Sequence, residues 1–243
     1  EHADMAYEWL FQQTDSRQSL DDTHKQMTKE LAALFPAYVN SLNLKKPDGT
    51  PLTADNYLDY LKSEIIRAAQ IAKNTGADIP DSIGFKFTSE AGGMFAAPIN
   101  GGMRPQMQGG QPPKGMRPMR GGMGRKQVGE YITDLDMQKY LNYVVSTQAL
   151  KGVPAFDSQI EGINNASGEN EEFGDATGNS VNFTDYTAEK NGTTLTDAIR
   201  RNVRLMNPMS FIGDGNTSVA PHWYIRHGAR DRDTAFPVPV NFA

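Results

Sequence analysis

The sequence predicts an α/β chain of uneven build, with helices over most of its length and strand and turn confined to its C-terminal end. Apolar residues recur at helical spacing in four windows up to Met206, and from Val219 the pattern changes to β-branched and aromatic residues broken by glycine. Between the second and third windows lies a Gly, Met, Arg and Pro tract, residues 101–126, that suits neither element.

The first helix carries Met27, Leu31, Leu34, Phe35, Tyr38, Val39 and Leu42 on one stripe, with Asp21 or Asp22 as its cap and Pro36 as a kink or break. Thr53 begins the second, whose buried face is Tyr57, Leu58, Leu61, Ile65, Ala68 and Ala72, and Gly76 stands where it ends. A third starts near Thr133, has Asp136 three residues on, and runs through Met137, Leu141, Val144 and Val145 before Gly152. The fourth covers Thr196 to Met206, with Ile199, Val203 and Met206 facing inward and Pro208 closing it. Val219, Trp223 and Ile225 then suit a buried strand. Gly228 ends that strand and delivers Asp231 and Asp233 onto a turn, and Phe236 to Phe242 starts an element that does not finish. The two Gly-Met-Arg-Pro copies at Gly102 and Gly115 are low complexity rather than a structural repeat.

Composition excludes several classes of function. The chain has 243 residues, a 38% hydrophobic fraction suited to a modest core in one or two domains, and no apolar run of the roughly 20 residues a bilayer span needs, so a soluble protein without membrane partners is expected. Glu1 stands where an initiator Met or a leader peptide would, so it is not expected to be the biological N-terminus. The absence of cysteine removes thiol nucleophiles, thiolate ligands and disulfides, and leaves the compartment open. A net charge of −5 offers no general reason for nucleic-acid binding. The tract at 101–126 nevertheless holds Arg104, Lys114, Arg117, Arg120, Arg125 and Lys126 without an acid. An RNA-binding role for it lacks the aromatic residues used for stacking; a mobile excursion, held against acidic surface such as Glu161 to Glu189, is the expected reading.

The catalytic inventory is mostly negative. No Gly-x-Ser-x-Gly elbow occurs, and the glycines of 101–124 lack the Gly-Lys-Ser/Thr ending of a phosphate loop. His222 and His227, five apart on a predicted strand, face opposite sides and make a poor metal pair; hydrogen bonds to backbone or carboxylate are their expected use. Arg226-His227-Gly228-Ala229-Arg230 is similar to the Arg-His-Gly-x-Arg signature of histidine acid phosphatases, but too little chain follows it and Asp231 and Asp233 would repel a phosphate. Read alone, Asp231 and Asp233 would cap the next helix or pair with Arg226, Arg230 and Arg232, Lys151 would serve a helix C-terminus, and Glu169 would be one of three close glutamates with Glu171 and Glu172.

A broader resemblance covers the chain from end to end. The opening EHADMAYEWLF, the internal LKGVPAFD and GENEEFG, and the closing HWYIRHGARDRDTAFPVPVNFA together resemble bacterial tannases, subtype B, which are esterases of the α/β-hydrolase fold. The resemblance implies an incomplete α/β-hydrolase fold, mostly a helical lid insertion followed by one core strand and the start of a helix. Residues 1–14 would connect core to lid, 15–205 would form the lid and 206–243 part of the core, with the MNPM stretch returning the chain to the sheet. It also implies that Asp231 is the acid of a Ser-His-Asp triad whose serine lies before Glu1 and whose histidine lies after Ala243, so that the piece alone is inactive. Asp233, Lys151 and Glu169 match the groups that receive a galloyl ring, two carboxylates and a cation around three phenolic hydroxyls. The basic tract departs from the expected lid. The implied reaction is hydrolysis of galloyl or related phenolic esters, with no cofactor and no metal. Within the same fold a feruloyl or other aromatic esterase would keep Asp231 without needing Asp233, Lys151 and Glu169. A noncatalytic helical binding module using the basic tract is the reading from a different class.

Overall fold

The computed structural model describes residues 2–88, 130–147, 149–152, 157 and 172–242. The basic tract, Glu169 and most of GENEEFG lie outside the described residues.

The molecule is organised around its first helix. In α1 (His2–Phe11) Asp4, Met5, Ala6, Tyr7, Glu8, Leu10 and Phe11 are all buried. A helix covered nearly all round shows no one-sided stripe, which is why periodicity alone does not reveal it. A short helix, α2 (Asp15–Gln18), follows. Next comes α3 (Asp22–Ser41), capped by Asp21, whose carboxylate accepts from the His24 N–H at 2.9 Å. Pro36 neither ends nor divides α3. Its missing N–H costs one helical hydrogen bond, but Phe35 and Val39 on either side are fully buried and hold the helix in place.

In α4 (Ala54–Asn74) the Thr53 N–H donates to Asn56 Oδ1 at 2.9 Å, and Tyr57, Leu61 and Ile66 form the buried face. Leu34 of α3 and Leu58 of α4, expected inside, are exposed, since each lies at the edge of its helix's apolar stripe. A 3₁₀ turn (Asp81–Ile83) leads into β1 (Phe85–Thr88), which pairs antiparallel with β2 (Tyr131–Leu135). The third helix therefore does not start at Thr133. Ile132 and Leu135 are buried in a strand paired with β1, and α5 (Met137–Thr147) begins only after Asp136. A long-range partner decided this, and no local periodicity reports one.

The later helices follow the sequence more closely. Thr184 caps α6 (Asp185–Lys190) and Thr196 caps α7 (Asp197–Met206), each through its hydroxyl. Met206, expected to face inward, is 58% exposed at the end of α7. Residues 219–227 form no strand: the two described strands pair with each other, and Val219, Trp223 and Ile225 stand exposed without a ladder to join. The element begun at Phe236 is α8 (Pro237–Phe242).

Two apolar clusters meet across α1. On one side Tyr7, Leu10 and Phe11 pack with Leu61, Phe85, Ile132, Leu135, Tyr140, Val144 and Phe236; on the other Met5 and Ala6 pack with Phe35, Val39, Leu52 and Tyr57. The Tyr57 hydroxyl closes the seam to α8, donating to Asn241 Oδ1 at 2.5 Å. A satellite cluster of Phe173, Phe183 and Ile199 lies under α6 and α7. It is fastened by buried Asp157, which accepts from the Phe183 and Thr184 backbone N–H groups at 2.9 and 2.8 Å. No described helix is long and apolar enough to cross a membrane.

Candidate active site

The acidic turn is built from short-range hydrogen bonds. The Asp231 N–H donates to the Gly228 carbonyl at 3.0 Å, and Asp231 Oδ1 accepts from the backbone N–H of Asp233 at 2.9 Å and of Thr234 at 3.1 Å. One carboxylate oxygen thus orders the turn. The other, Oδ2, lies 3.7 Å from His227 Nε2, longer than a hydrogen bond.

His227 is committed elsewhere. Its Nε2 is 2.8 Å from the Thr234 carbonyl, which can only accept, so the proton sits on Nε2. The ring packs edge-on to Phe236, 5.2 Å between centroids. This matches the expected structural use of the histidine. Among the described residues no group of three or more His, Cys, Asp or Glu side chains could hold a metal ion.

Helix α5 anchors the turn to the core. The Tyr140 hydroxyl donates to the Ala229 carbonyl at 2.5 Å, and burial raises its pKa, which keeps it a donor across the physiological range. Arg230 Nη1 reaches the Tyr143 hydroxyl at 3.1 Å. Asp233, exposed at the tip, is paired with its neighbour Arg232, whose own side chain is largely buried. Sequence reasoning offered pairing with Arg226, Arg230 or Arg232 as the bland use of this acid, beside the ring role the resemblance implies. It missed Tyr140, whose apolar helical setting marked it only as core.

Lys151 sits apart from the turn along the chain, but α1 and α2 hold it. Its N–H donates to the Tyr7 hydroxyl at 3.3 Å and its carbonyl accepts from Arg17 Nη1 at 2.5 Å. Arg17 is in turn fixed by Glu8 at 2.6 Å, both side chains being buried. Burial pushes the Glu8 carboxyl up, and Arg17 opposes that shift. The structure thus brings Asp231 and Asp233 together on one turn and places Lys151 against α1; Glu169 is outside the described residues.

The fold is a helix-rich unit with a two-stranded sheet and an acidic turn tied to its core through Tyr140. No protein-family model matches the chain, and no curated protein does. Solved structures do. The chain is similar to a tannin acyl hydrolase in complex with 3,4-dihydroxybenzoate, at 32% identity and a TM-score of 0.70, over 100% of this chain and 45% of that one. It is similar to the tannase from Lactobacillus plantarum at 30% identity and a TM-score of 0.70, over 100% of this chain and 47% of that one. The Fusobacterium nucleatum tannase follows at 26% identity and a TM-score of 0.66, over 100% and 48%. The resemblance to bacterial tannases carried by the sequence motifs is borne out along the whole chain. The chain spans a little under half the length of the structures it matches.

Proposed function

We propose that this chain is part of a serine esterase that hydrolyses galloyl esters. The observation that carries the reading is the match of the entire chain to tannin acyl hydrolases, one of them in complex with ethyl gallate. In the proposed mechanism a serine and a histidine from outside residues 1–243 complete a triad with Asp231. Serine attacks the ester carbonyl, histidine takes its proton and passes it to the departing alcohol, and water then releases the acid from the acyl-enzyme.

The turn geometry supports the part given to Asp231. With Oδ1 held by two backbone N–H groups, Oδ2 is left to receive an imidazole N–H in a fixed direction, which sets the tautomer and stabilises the imidazolium. Asp233, Lys151 and Glu169 are assigned to the ring. Phenolic hydroxyls donate to the carboxylates, and the ammonium favours the more acidic phenolate. Rings without those hydroxyls would leave the polar groups unmatched and be rejected.

The test compares two esters in the intact enzyme. Asp233→Ala is expected to cut kcat/KM on methyl gallate by roughly ten-fold or more while leaving methyl ferulate hydrolysis nearly unchanged. Equal rates on both esters before and after the substitution would favour the feruloyl-type reading and remove Asp233 from ring recognition.

A further inference from the structure

We infer that Tyr7 and Arg17 are positioning residues for Lys151, fixing its backbone on both sides so that its ammonium meets the ring hydroxyls from a constant origin. This rests on the ring-binding part of the proposed function. The two contacts converge on one residue. The Tyr7 hydroxyl takes the Lys151 N–H at 3.3 Å and Arg17 Nη1 takes the Lys151 carbonyl at 2.5 Å, across 144 and 134 residues of sequence.

Both holders are themselves buried. Tyr7 is fully buried in the central helix, with its ring against Phe11 at 5.0 Å and the Arg17 guanidinium 5.4 Å from its centroid. Arg17 is 2% exposed, and its second Nη bonds Glu8 at 2.6 Å, so its fork spans a carboxylate and a carbonyl at once. Only a planar guanidinium does this comfortably; an ammonium is a single point of charge. Burial pushes the Tyr7 hydroxyl up to about 12, and the Arg17 guanidinium over its ring opposes that shift. A Lys151 backbone held by both side chains keeps its ammonium in register with the ring it is proposed to meet. An affinity that depends on three adjacent hydroxyls depends on that register.

The experiment is a double-mutant cycle in the intact enzyme, read as gallate and benzoate binding by titration calorimetry, with thermal melts as the folding control. Tyr7→Phe keeps the ring and removes the hydroxyl. It is expected to weaken gallate about five-fold, the size of one lost hydrogen bond, and to leave benzoate unchanged. In a Lys151→Met background the same change should have no further effect on gallate. Arg17→Lys should repeat the pattern, and serves alone should Tyr7→Phe fail to fold. A loss of gallate affinity of equal size in both backgrounds, or a parallel loss for gallate and benzoate, overturns the inference and reduces Tyr7 to packing. If Lys151→Met weakens gallate but Tyr7→Phe does not, the positioning role falls and the ring assignment stands. If Lys151→Met has no effect, both fall together.

Discussion

Asp231 and Asp233 are two positions apart and sit in different surroundings. Asp231 is drawn inward by two backbone N–H groups, whereas Asp233 stays at the surface beside Arg232. Their presence on a turn was legible in the sequence because Gly228 and the run of charged residues exclude a helix or strand there. Their separate environments were not, since the hydrogen bonds that distinguish them follow from backbone dihedrals. A third carboxylate offers a pH test. Asp134 bridges Lys62 at 2.5 Å and Lys86 at 2.7 Å, and these hydrogen bonds hold its carboxyl well below the usual range. Because the folded value is lower than the unfolded one, the stabilisation is present above the unfolded pKa and disappears as pH falls through the folded value. Asp134→Asn should therefore lower the melting temperature at pH 7, and the gap from wild type should close on acidification. The side chain is 38% exposed, so screening limits the effect to about 1 kcal/mol or less.

At the scale of elements, caps and stripes located α3, α4 and α7 well, because each has a solvent face and a clear N-terminal residue. The errors came where a partner far along the chain decides. Tyr131–Leu135 pairs with β1 rather than opening α5, α1 is buried on nearly every side, and the strand expected at Val219 to Ile225 finds no neighbour among the described strands. The junction before β1 depends on one glycine. Gly84 has φ +110°, and a Cβ there would stand 2.7 Å from the Asp136 carbonyl oxygen, while the Asp136 N–H donates to the Gly84 carbonyl at 2.9 Å. Gly84→Ala is expected to destabilise the fold by about 1–3 kcal/mol from backbone strain alone, seen as a lower midpoint in urea. An unchanged midpoint would mean that the strand pair is not held as described.

For the whole molecule, α1 is both the spine of the core and the carrier of a buried ion pair. Removing one partner of such a pair leaves a charge without compensation, so Glu8→Ala should cost about 3–5 kcal/mol, measurable by chemical denaturation. The same spine holds the backbone of Lys151 through Tyr7 and shares a core cluster with Phe236 beyond the acidic turn. The family resemblance was legible because its motifs survive at both ends and in the middle of the chain; the anchoring side chains Tyr7, Arg17 and Tyr140 were not, since in sequence they are ordinary members of helices. The most direct measurement is methyl gallate hydrolysis by the intact enzyme and its Asp231→Asn variant. The account predicts a fall in kcat of about 10³-fold or more with the melting temperature preserved, as an amide cannot hold the imidazole in the tautomer that accepts the serine proton. Hydrolysis within two-fold of wild type would contradict it.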